Sequence, residues 1–299
     1  MRRQVVSVAV ASALLLGACG GGGGGASSGV RASDRAPLQL GELTVGGQAR
    51  TYRLFAPSTL PPTKLVPLVM VLHGGGNSAD SVAQTTQFDR FAATDEFIVV
   101  YPEGLGGYWN GGFCCGGSEA DDVGYLAALI DRLAGVYKID RSRVYAVGVS
   151  NGGIMAYRFA CDRADLVAAV ASVAGAMIVD DCHPARPVSI LEVHGTADSS
   201  VPYNGGRVQP RAARARADVP PTAAVVQKWV DTDRCQASPR ITTEGPVSTS
   251  AWSQCTANTT VTLITVQGGS HTWFAPGLGP ANGAIDATVV ITGFLGRLA

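Results

Sequence analysis

The chain has 299 residues, of which 46% are hydrophobic and 15% are charged, so it has enough apolar side chains to bury a core and is not a disordered protein. Its 23 lysines and arginines balance 23 aspartates and glutamates, which gives a formal net charge of zero. A neutral chain has no overall field that gathers phosphates, and we therefore expect no nucleic-acid partner.

The first element in chain order is a targeting segment. Two arginines precede a run of apolar and small residues, 5–18, which has the length of a signal-peptide core but is short for a membrane span. The run ends in Leu16-Gly17-Ala18-Cys19, which resembles the lipobox of bacterial lipoproteins, where the cysteine becomes the lipidated first residue. An ordinary secretory signal with an accidental cysteine is the alternative. We predict a signal peptide at 1–18 and lipidation at Cys19.

A glycine-rich stretch follows this cysteine at once. Residues 20–25 are all glycine, and such a sequence behaves as a flexible linker. We predict a tether at 19–40 and a globular domain at 41–299, with membrane contact through the lipid only. The protein would then be exported and held at the cell envelope by its lipid, or else secreted. If the host has an outer membrane, we expect the lipid to lie there, because residue 20 is not aspartate.

Beyond the tether, the pattern is that of an α/β protein. A hairpin is predicted at 43–55, with its turn at Gly46-Gly47. Short runs rich in valine and isoleucine are typical of strands buried on both faces of a parallel sheet, and they occur at 66–72, 97–101, 144–149, 168–173, 188–193 and 260–266. Helix-like segments lie between them at 79–93, 121–137, 152–161, 222–231 and 285–298. The alternation predicts a mostly parallel central sheet with helices on both faces.

An arginine-rich segment, 202–221, interrupts this order. We interpret it as a solvated surface loop, with a lid beside a site as the alternative.

The other six cysteines are an even number, as disulfides in an oxidising compartment require: Cys114, Cys115, Cys161, Cys182, Cys235 and Cys255. Many pairings are possible, and we favour Cys235 with Cys255, which bracket a polar loop, and Cys161 with Cys182. The adjacent cysteines would then be a vicinal pair or free thiols. No C-x-x-C or H-E-x-x-H spacing occurs, so we expect no metal.

The pentapeptide Gly148-Val149-Ser150-Asn151-Gly152 matches G-x-S-x-G, the turn that exposes a nucleophilic serine between a strand and a helix. A strand pattern precedes it and a helix pattern follows, which is the context that this motif requires. A bystander serine in a glycine-rich turn is the alternative. We predict that Ser150 is a nucleophile.

A nucleophilic serine needs a base, and the chain has four histidines. His73 opens His73-Gly74-Gly75-Gly76, which resembles the turn whose backbone N–H groups bind an oxyanion, so we interpret it as architectural. His194 ends a strand and is interpreted as a loop anchor, while His183 lies in a loop rich in cysteine and proline. His271 follows the last strand, where the chain order Ser, Asp, His places the base.

The carboxylate that orients the base should lie at the carboxyl end of a strand, where α/β sheets place their sites. Asp198 follows the strand at 188–193 and meets this requirement. Asp162 and Asp165 follow a helix and are expected to be solvated. We therefore predict that Asp198 orients the base.

Taken as a set, the motifs resemble the polyhydroxybutyrate-depolymerase and feruloyl-esterase group of α/β-hydrolases, related to carbohydrate esterase family one. The resemblance extends from about residue 43 to 298 and is carried by His73-Gly74-Gly75-Gly76-Asn77, Tyr101-Pro102-Glu103-Gly104, Trp109-Asn110, Asp121-Asp122-Val123-Gly124-Tyr125, Gly148-Val149-Ser150-Asn151-Gly152-Gly153, His194-Gly195-Thr196-Ala197-Asp198, Val201-Pro202-Tyr203 and Gly269-Ser270-His271-Thr272-Trp273. It implies the α/β-hydrolase fold.

The resemblance also implies roles for individual residues. Ser150, His271 and Asp198 would be the nucleophile, the base and its orienting carboxylate. The backbone N–H groups of Asn151 and Gly75 would form the oxyanion hole. Side chains that would flank the acyl group, unless they are core residues instead, are Trp109 and Trp273. The sequence departs from the family's His-Thr-Trp-Pro-Gly by inserting Phe274-Ala275, which changes the rim beside the base.

The function implied is an exported serine ester hydrolase that acts through an acyl-enzyme, without a metal or cofactor, on feruloyl or acetyl esters of plant cell-wall polysaccharides. Hydrolysis of polyhydroxybutyrate oligomers is the alternative within the same class. A non-catalytic surface lipoprotein that uses the fold for binding is the alternative of another class.

Overall fold

The computed structural model describes residues 37–112, 119–179, 181–208 and 218–298. The predicted signal peptide, Cys19 with most of its tether, the cysteines 114 and 115, and the arginine string 211–216 lie outside these ranges. No helix among the described residues is long and apolar enough to cross a membrane.

Twelve strands and seven α-helices follow one another in the described ranges. The strands are β1 (Gln39–Val45), β2 (Gln48–Phe55), β3 (Val66–Leu72), β4 (Ile98–Pro102), β5 (Ile139–Val149), β6 (Ala169–Val173), β7 (Ser189–Gly195), β8 (Gly206–Arg207), β9 (Asp218–Val219), β10 (Arg240–Glu244), β11 (Val247–Trp252) and β12 (Val261–Val266). The helices are α1 (Ala79–Thr86), α2 (Asp89–Ala92), α3 (Asp122–Ala134), α4 (Asn151–Asp162), α5 (Thr222–Thr232), α6 (Gly279–Asn282) and α7 (Ala287–Gly296).

Ten of these strands form one sheet in the order β1-β2-β4-β3-β5-β6-β7-β12-β11-β10. The six strands from β4 to β12 pair in parallel, and the two strands at each edge pair antiparallel. The predicted α/β fold with a mostly parallel central sheet is therefore confirmed.

Successive side chains of the parallel strands enter two cores, one on each face of the sheet. On β3, Met70 and Leu72 belong to one core and Val69 and Val71 to the other, and all four are buried. Helices α3, α4 and α5 cover the first face, while α1 and α7 cover the second. Because both faces are covered, the strands read as continuous apolar runs.

One predicted helix is two in the structure. The segment 79–93 divides because Gln87 adopts a left-handed conformation, with φ 53°, and its N–H caps α1 by donating to the carbonyl of Ala83. The second helix, α2, begins at Asp89.

The edge strands β10 and β11 were not anticipated from the sequence. Every residue of β10 is exposed, and β11 is buried only at Trp252, so the pair lacks the apolar alternation that predicts a strand.

The structure contains the disulfides Cys161–Cys182 and Cys235–Cys255, which are the two pairs favoured from the sequence. The first joins the last turn of α4 to the loop before β7, and the second joins the end of α5 to the loop after β11. Cysteines 114 and 115 lie outside the described residues.

Candidate active site

The strand-to-helix turn at Ser150 is too tight for ordinary residues around it. Ser150 has φ 55° and ψ −121°, a strained conformation for a residue with a side chain. A Cβ on Gly148 would lie 2.2 Å from the carbonyl group of Gly152, and a Cβ on Gly152 would lie 2.3 Å from the carbonyl oxygen of Leu72. Glycine at both positions therefore lets β5 turn directly into α4 and leaves the serine at the bend.

The three predicted catalytic side chains meet at the carboxyl edge of the sheet. The hydroxyl of Ser150 lies 2.9 Å from Nε2 of His271, and Nδ1 of the same ring lies 2.7 Å from Oδ2 of Asp198. A carboxylate only accepts hydrogen bonds, so Nδ1 carries the proton and Nε2 is free to accept the serine proton. The geometry that nucleophilic catalysis requires is present without rearrangement.

Asp198 is held by its own turn. Its other oxygen, Oδ1, accepts hydrogen bonds from the backbone N–H groups of Ser200 and Val201, each 2.8 Å long. Burial by itself would raise the pKa of Asp198, but hydrogen bonds from His194 and His271 outweigh it and hold the pKa well below its ordinary value. The carboxylate is thus ionised and aimed at the base.

The loops that carry the acid and the base cross at van der Waals contact. A Cβ on Gly195, at the end of β7, would lie 2.2 Å from the carbonyl oxygen of Gly269. That same oxygen accepts a 2.9 Å hydrogen bond from the N–H of Ala197. The close approach fixes the distance between the segments that bear Asp198 and His271.

The predicted oxyanion groups are neighbours. Asn151 is the first residue of α4, where a helix leaves its N–H without an acceptor within the helix. Gly75 is exposed, and a Cβ on it would lie 3.6 Å from Cβ of Asn151. The turn after β3 therefore lies beside the turn after β5, and a Cβ on Gly74 in the same turn would lie 3.5 Å from Cβ of Ser150. The oxyanion hole formed by Asn151 and Gly75 stays a prediction.

His73 holds this region together and is not available as a base. Its buried ring lies 2.8 Å from the carbonyl of Gly74 at Nδ1 and accepts the N–H of Gly104 at Nε2. Burial lowers the pKa of His73, so the ring is neutral. The carbonyl of His73 accepts the indole N–H of Trp109, and the backbone of Trp109 exchanges two hydrogen bonds with the side chain of Asn151.

The expectation that Trp109 and Trp273 flank the acyl group is wrong for both side chains. Trp109 has no exposed surface and packs on His73. Trp273 is 4% exposed, donates its indole N–H to the hydroxyl of Thr288, and meets the ring of Phe88 edge to face. Both indoles therefore stabilise the loops under the site instead of contacting a substrate. The sequence pattern, a tryptophan next to a motif residue, cannot separate these roles, because tryptophan is suited to either.

Three residues that the sequence did not single out lie at the site. Tyr108 is half-buried, and its ring lies against Gly75, where an added Cβ would be 3.0 Å from its Cε1. Asn282 accepts the N–H of Ser270 and donates to the hydroxyl of the same serine, next to the base. Glu192 is a buried carboxylate on β7. Only Glu192 carries a sequence signal, since a charged residue in an otherwise apolar buried strand needs a partner.

Among the described residues there is no group of three or more metal-ligating side chains.

Comparison with known proteins identifies the family. Residues 51–205, just over half of the chain, match the family model described as Esterase PHB depolymerase. The chain belongs to this esterase family. As a member of the PHB-depolymerase esterases, it is a carboxylic-ester hydrolase.

Two relatives agree with this assignment, and one solved structure shares the fold. A putative esterase, NocK, of Nocardia uniformis is 32% identical over 78% of this chain and 73% of its own length. Feruloyl esterase B of Piromyces equi is 32% identical over 72% of this chain, which spans only 41% of that enzyme. An acetyl xylan esterase from Aspergillus awamori shares the fold of this PHB-depolymerase esterase, with a TM-score of 0.58 and 15% identity over 78% of this chain and 94% of the other.

Proposed function

We propose that the protein is an exported serine esterase that cleaves its substrate through an acyl-enzyme formed on Ser150. The observation that carries the proposal is the unbroken chain of hydrogen bonds from the Ser150 hydroxyl through His271 to Asp198, with lengths of 2.9 and 2.7 Å. A serine in this arrangement is activated because the proton that it loses has an acceptor already in place.

The chemistry follows from the positions of these groups. Ser150 attacks the ester carbonyl while its proton moves to Nε2 of His271, and Asp198 stabilises the imidazolium that forms. The N–H groups of Asn151 and Gly75 receive the negative charge that develops on the carbonyl oxygen. His271 then gives its proton to the departing alcohol, and water releases the acyl group by the same route.

For the substrate, we propose feruloyl or acetyl esters of plant cell-wall polysaccharides. The support is the 32% identity to the Piromyces feruloyl esterase and the fold shared with an acetyl xylan esterase. The half-buried ring of Tyr108 beside Gly75 is an aromatic group available to an aryl acyl chain, whereas Trp109 and Trp273 are buried.

Hydrolysis of polyhydroxybutyrate oligomers is the second candidate, favoured by the description of the matching family model. Initial rates of the purified protein on methyl ferulate, an aryl acetate and a 3-hydroxybutyrate oligomer decide between the two. We expect the highest kcat/KM for methyl ferulate or the acetate, and a preference for the oligomer would replace the cell-wall assignment. Tyr108→Leu should raise KM for methyl ferulate more than for the aryl acetate.

The non-catalytic alternative is tested by covalent labelling. A fluorophosphonate reacts fast only with an activated serine, so we expect rapid labelling of the protein and none of the Ser150→Ala variant. An unlabelled wild-type protein without a rate on any of the three esters would favour a binding lipoprotein.

The location is likewise our proposal from the sequence. The supports are the lipobox-like Leu16-Gly17-Ala18-Cys19 and the glycine tether, with a signal peptide at 1–18, a tether at 19–40 and the catalytic domain at 41–299. Cys19→Ser should move the protein from the membrane fraction to the soluble fraction of the cell envelope or the medium, while its kcat on a soluble ester stays unchanged.

A further inference from the structure

A buried pair of charged side chains lies next to Asp198, and neither member takes up a proton in the chemistry described above. Glu192 and His194 are two residues apart on β7, and their side chains are 1% and 0% exposed. Nδ1 of His194 lies 2.8 Å from Oε1 of Glu192. Burying two such groups is costly unless they are paired and hydrogen-bonded, so their arrangement has to be explained.

The surroundings of the His194 ring fix its protonation. Nδ1 faces the Glu192 carboxylate, and Nε2 lies 2.9 Å from the carbonyl oxygen of Val201. A carboxylate and a carbonyl only accept, so both ring nitrogens donate and the ring is an imidazolium. The other carboxylate oxygen of Glu192 accepts the hydroxyl of Tyr157 at 2.9 Å. Burial raises the pKa of Glu192, and the hydrogen bonds from His194 and Tyr157 oppose that rise.

The remaining groups around the ring come from three other segments. The hydroxyl of Thr222, at the start of α5, lies 3.4 Å from Nδ1, and the ring of Tyr203 meets the imidazole edge to face at 5.8 Å between centroids. Oδ2 of Asp198 lies 3.4 Å from Nε2, and the same oxygen lies 2.7 Å from Nδ1 of His271. The imidazolium thus stands between two buried carboxylates, Glu192 and Asp198.

We propose that His194 is a positioning residue for ester hydrolysis, held as an imidazolium by Glu192. Through the carbonyl of Val201 it fixes the turn whose N–H groups hold Asp198, and its positive charge keeps that carboxylate ionised beside His271. The proton stays on His194 throughout the reaction. This inference rests on the proposed triad and adds to it the reason why a buried Asp198 remains ionised.

The electrostatics agree with the geometry. Burial by itself would lower the pKa of His194, but its hydrogen bonds with Asp198 and Glu192 overcome this and raise the pKa to about 10. An opposite charge within hydrogen-bond range lowers the pKa of a carboxyl group by about 1–3 units. The loss of the positive charge should therefore make the Asp198–His271 pair easier to protonate.

Glu192→Gln is the sharpest test because it removes the counter-ion and keeps the shape. The amide of glutamine can donate to Nδ1 and accept from Tyr157, so His194 can become neutral with its remaining proton on Nε2. We expect kcat to fall about tenfold with KM within about twofold, and the acid limb of the kcat/KM profile to move up by about 0.5–1 pH unit. Tyr157→Phe is the matched control, since it removes a hydrogen bond to the same carboxylate without removing its charge, and its acid limb should stay in place.

A fall in rate that is uniform with pH in Glu192→Gln would overturn the proposal, because a structural role alone does not move the pH profile. A second measurement does not depend on the catalytic rate of any variant. In the wild-type protein, ¹⁵N NMR of labelled histidines should show one ring with both nitrogens protonated from pH 5 to about pH 9, and this signal should be absent in Glu192→Gln at pH 8.

Wild-type histidines that all titrate between pH 5 and 8 would also contradict the proposal. The labelling of Ser150 separates this failure from a failure of the proposed function. If fluorophosphonate labels the protein but the imidazolium signal is absent, the triad stands and the role proposed for His194 is wrong. If the protein is not labelled, the proposed triad itself is wrong.

Discussion

The backbone at Ser150 is the point where a single residue determines whether the site exists. A positive φ of 55° at a residue with a Cβ is costly and persists only where the surroundings impose it. Here the surroundings are backbone atoms, since Gly148 and Gly152 each approach a neighbouring carbonyl more closely than any side chain would allow. The turn that presents the nucleophile therefore requires glycine on both sides.

Gly148→Ala should abolish this geometry. Its new Cβ would meet backbone carbon and oxygen of Gly152 at 2.2 Å, and backbone atoms cannot rotate away. We expect kcat/KM on an aryl acetate to fall by roughly 100-fold or more, since displacing a reacting group by about 1 Å costs that much, and the melting temperature to fall as well. Gly293→Ala in α7 is the control, because its nearest atom is a flexible arginine nitrogen at 3.8 Å, and it should leave both quantities unchanged or slightly raise the stability.

Asp233 makes stability depend on pH. The residue is buried, and burial raises its pKa to about 6, with a hydrogen bond from Thr259 and the N–H of Val188 limiting the rise. Because the pKa is higher in the folded state than in the unfolded state, the group favours folding below about pH 4, and this contribution is lost as the pH rises through about 6.

Asp233→Asn should therefore gain stability relative to the wild type as the pH rises. We expect the difference in melting temperature, variant minus wild type, to be about 3 °C or more larger at pH 8 than at pH 5. Thermal unfolding of both proteins at the two pH values measures it, and other titrating groups cancel in the comparison. A difference that is the same at both pH values would mean that Asp233 does not change its charge in this range.

Among the secondary-structure elements, those with buried side chains could be predicted from the sequence and the exposed ones could not. The strand at 66–72 was predicted to the residue because every side chain except Pro67 belongs to one of two cores, which leaves an uninterrupted apolar run. Strand β10, Arg240–Glu244, has no such contacts, so neither alternation nor an apolar run marks it. The break between α1 and α2 depends on one left-handed residue, Gln87, which the helical periodicity does not register.

The residues of the site also divide into those that could be predicted from the sequence and those that could not. The residues Ser150, Asp198 and His271 could be selected from the sequence because each follows a buried strand, and parallel strands bring their carboxyl ends to one edge. The burial of Trp109 and the contact of Asn282 with Ser270 could not be predicted, because both depend on how loops far apart in sequence pack. Loop packing has no periodic signature.

The loop that bears His271 depends on one clamp from α6. The side chain of Asn282 forms hydrogen bonds with both the N–H and the hydroxyl of Ser270, and its backbone carbonyl accepts the N–H of Ala275. Asn282 therefore holds the loop on both sides of His271. Asn282→Ala should lower kcat about tenfold with little change in KM, because the base is less well placed while the acyl pocket is intact. Ser270→Ala keeps the bond to the backbone and should have a clearly smaller effect. Equal losses in the two variants would assign the effect to the serine hydroxyl.

At the scale of the whole molecule, the sheet order explains how distant residues meet. The nucleophile follows β5, the acid follows β7 and the base follows β12, and these strands lie in the order β5-β6-β7-β12. Both disulfides lie away from this edge. Cys161 is the eleventh residue of α4, the helix that starts directly after Ser150, and the Cys235–Cys255 disulfide lies beside Asp233 after the end of α5. The disulfides that stabilise the fold and the residues that carry out catalysis therefore lie in different parts of the molecule.

The disulfides provide the test of this separation. Each closes a loop of about 20 residues, for which the entropy lost by the unfolded chain corresponds to about 3 kcal/mol. The double variant Cys235→Ala/Cys255→Ala should therefore lower the melting temperature by about 5–10 °C while kcat at 25 °C stays within about twofold of the wild type. Cys161→Ala/Cys182→Ala is the matched comparison, since it opens a loop of nearly equal length at the end of α4. If kcat fell with either pair in fully folded protein, the active-site edge would depend on the crosslink, and the separation of stability from catalysis would not hold.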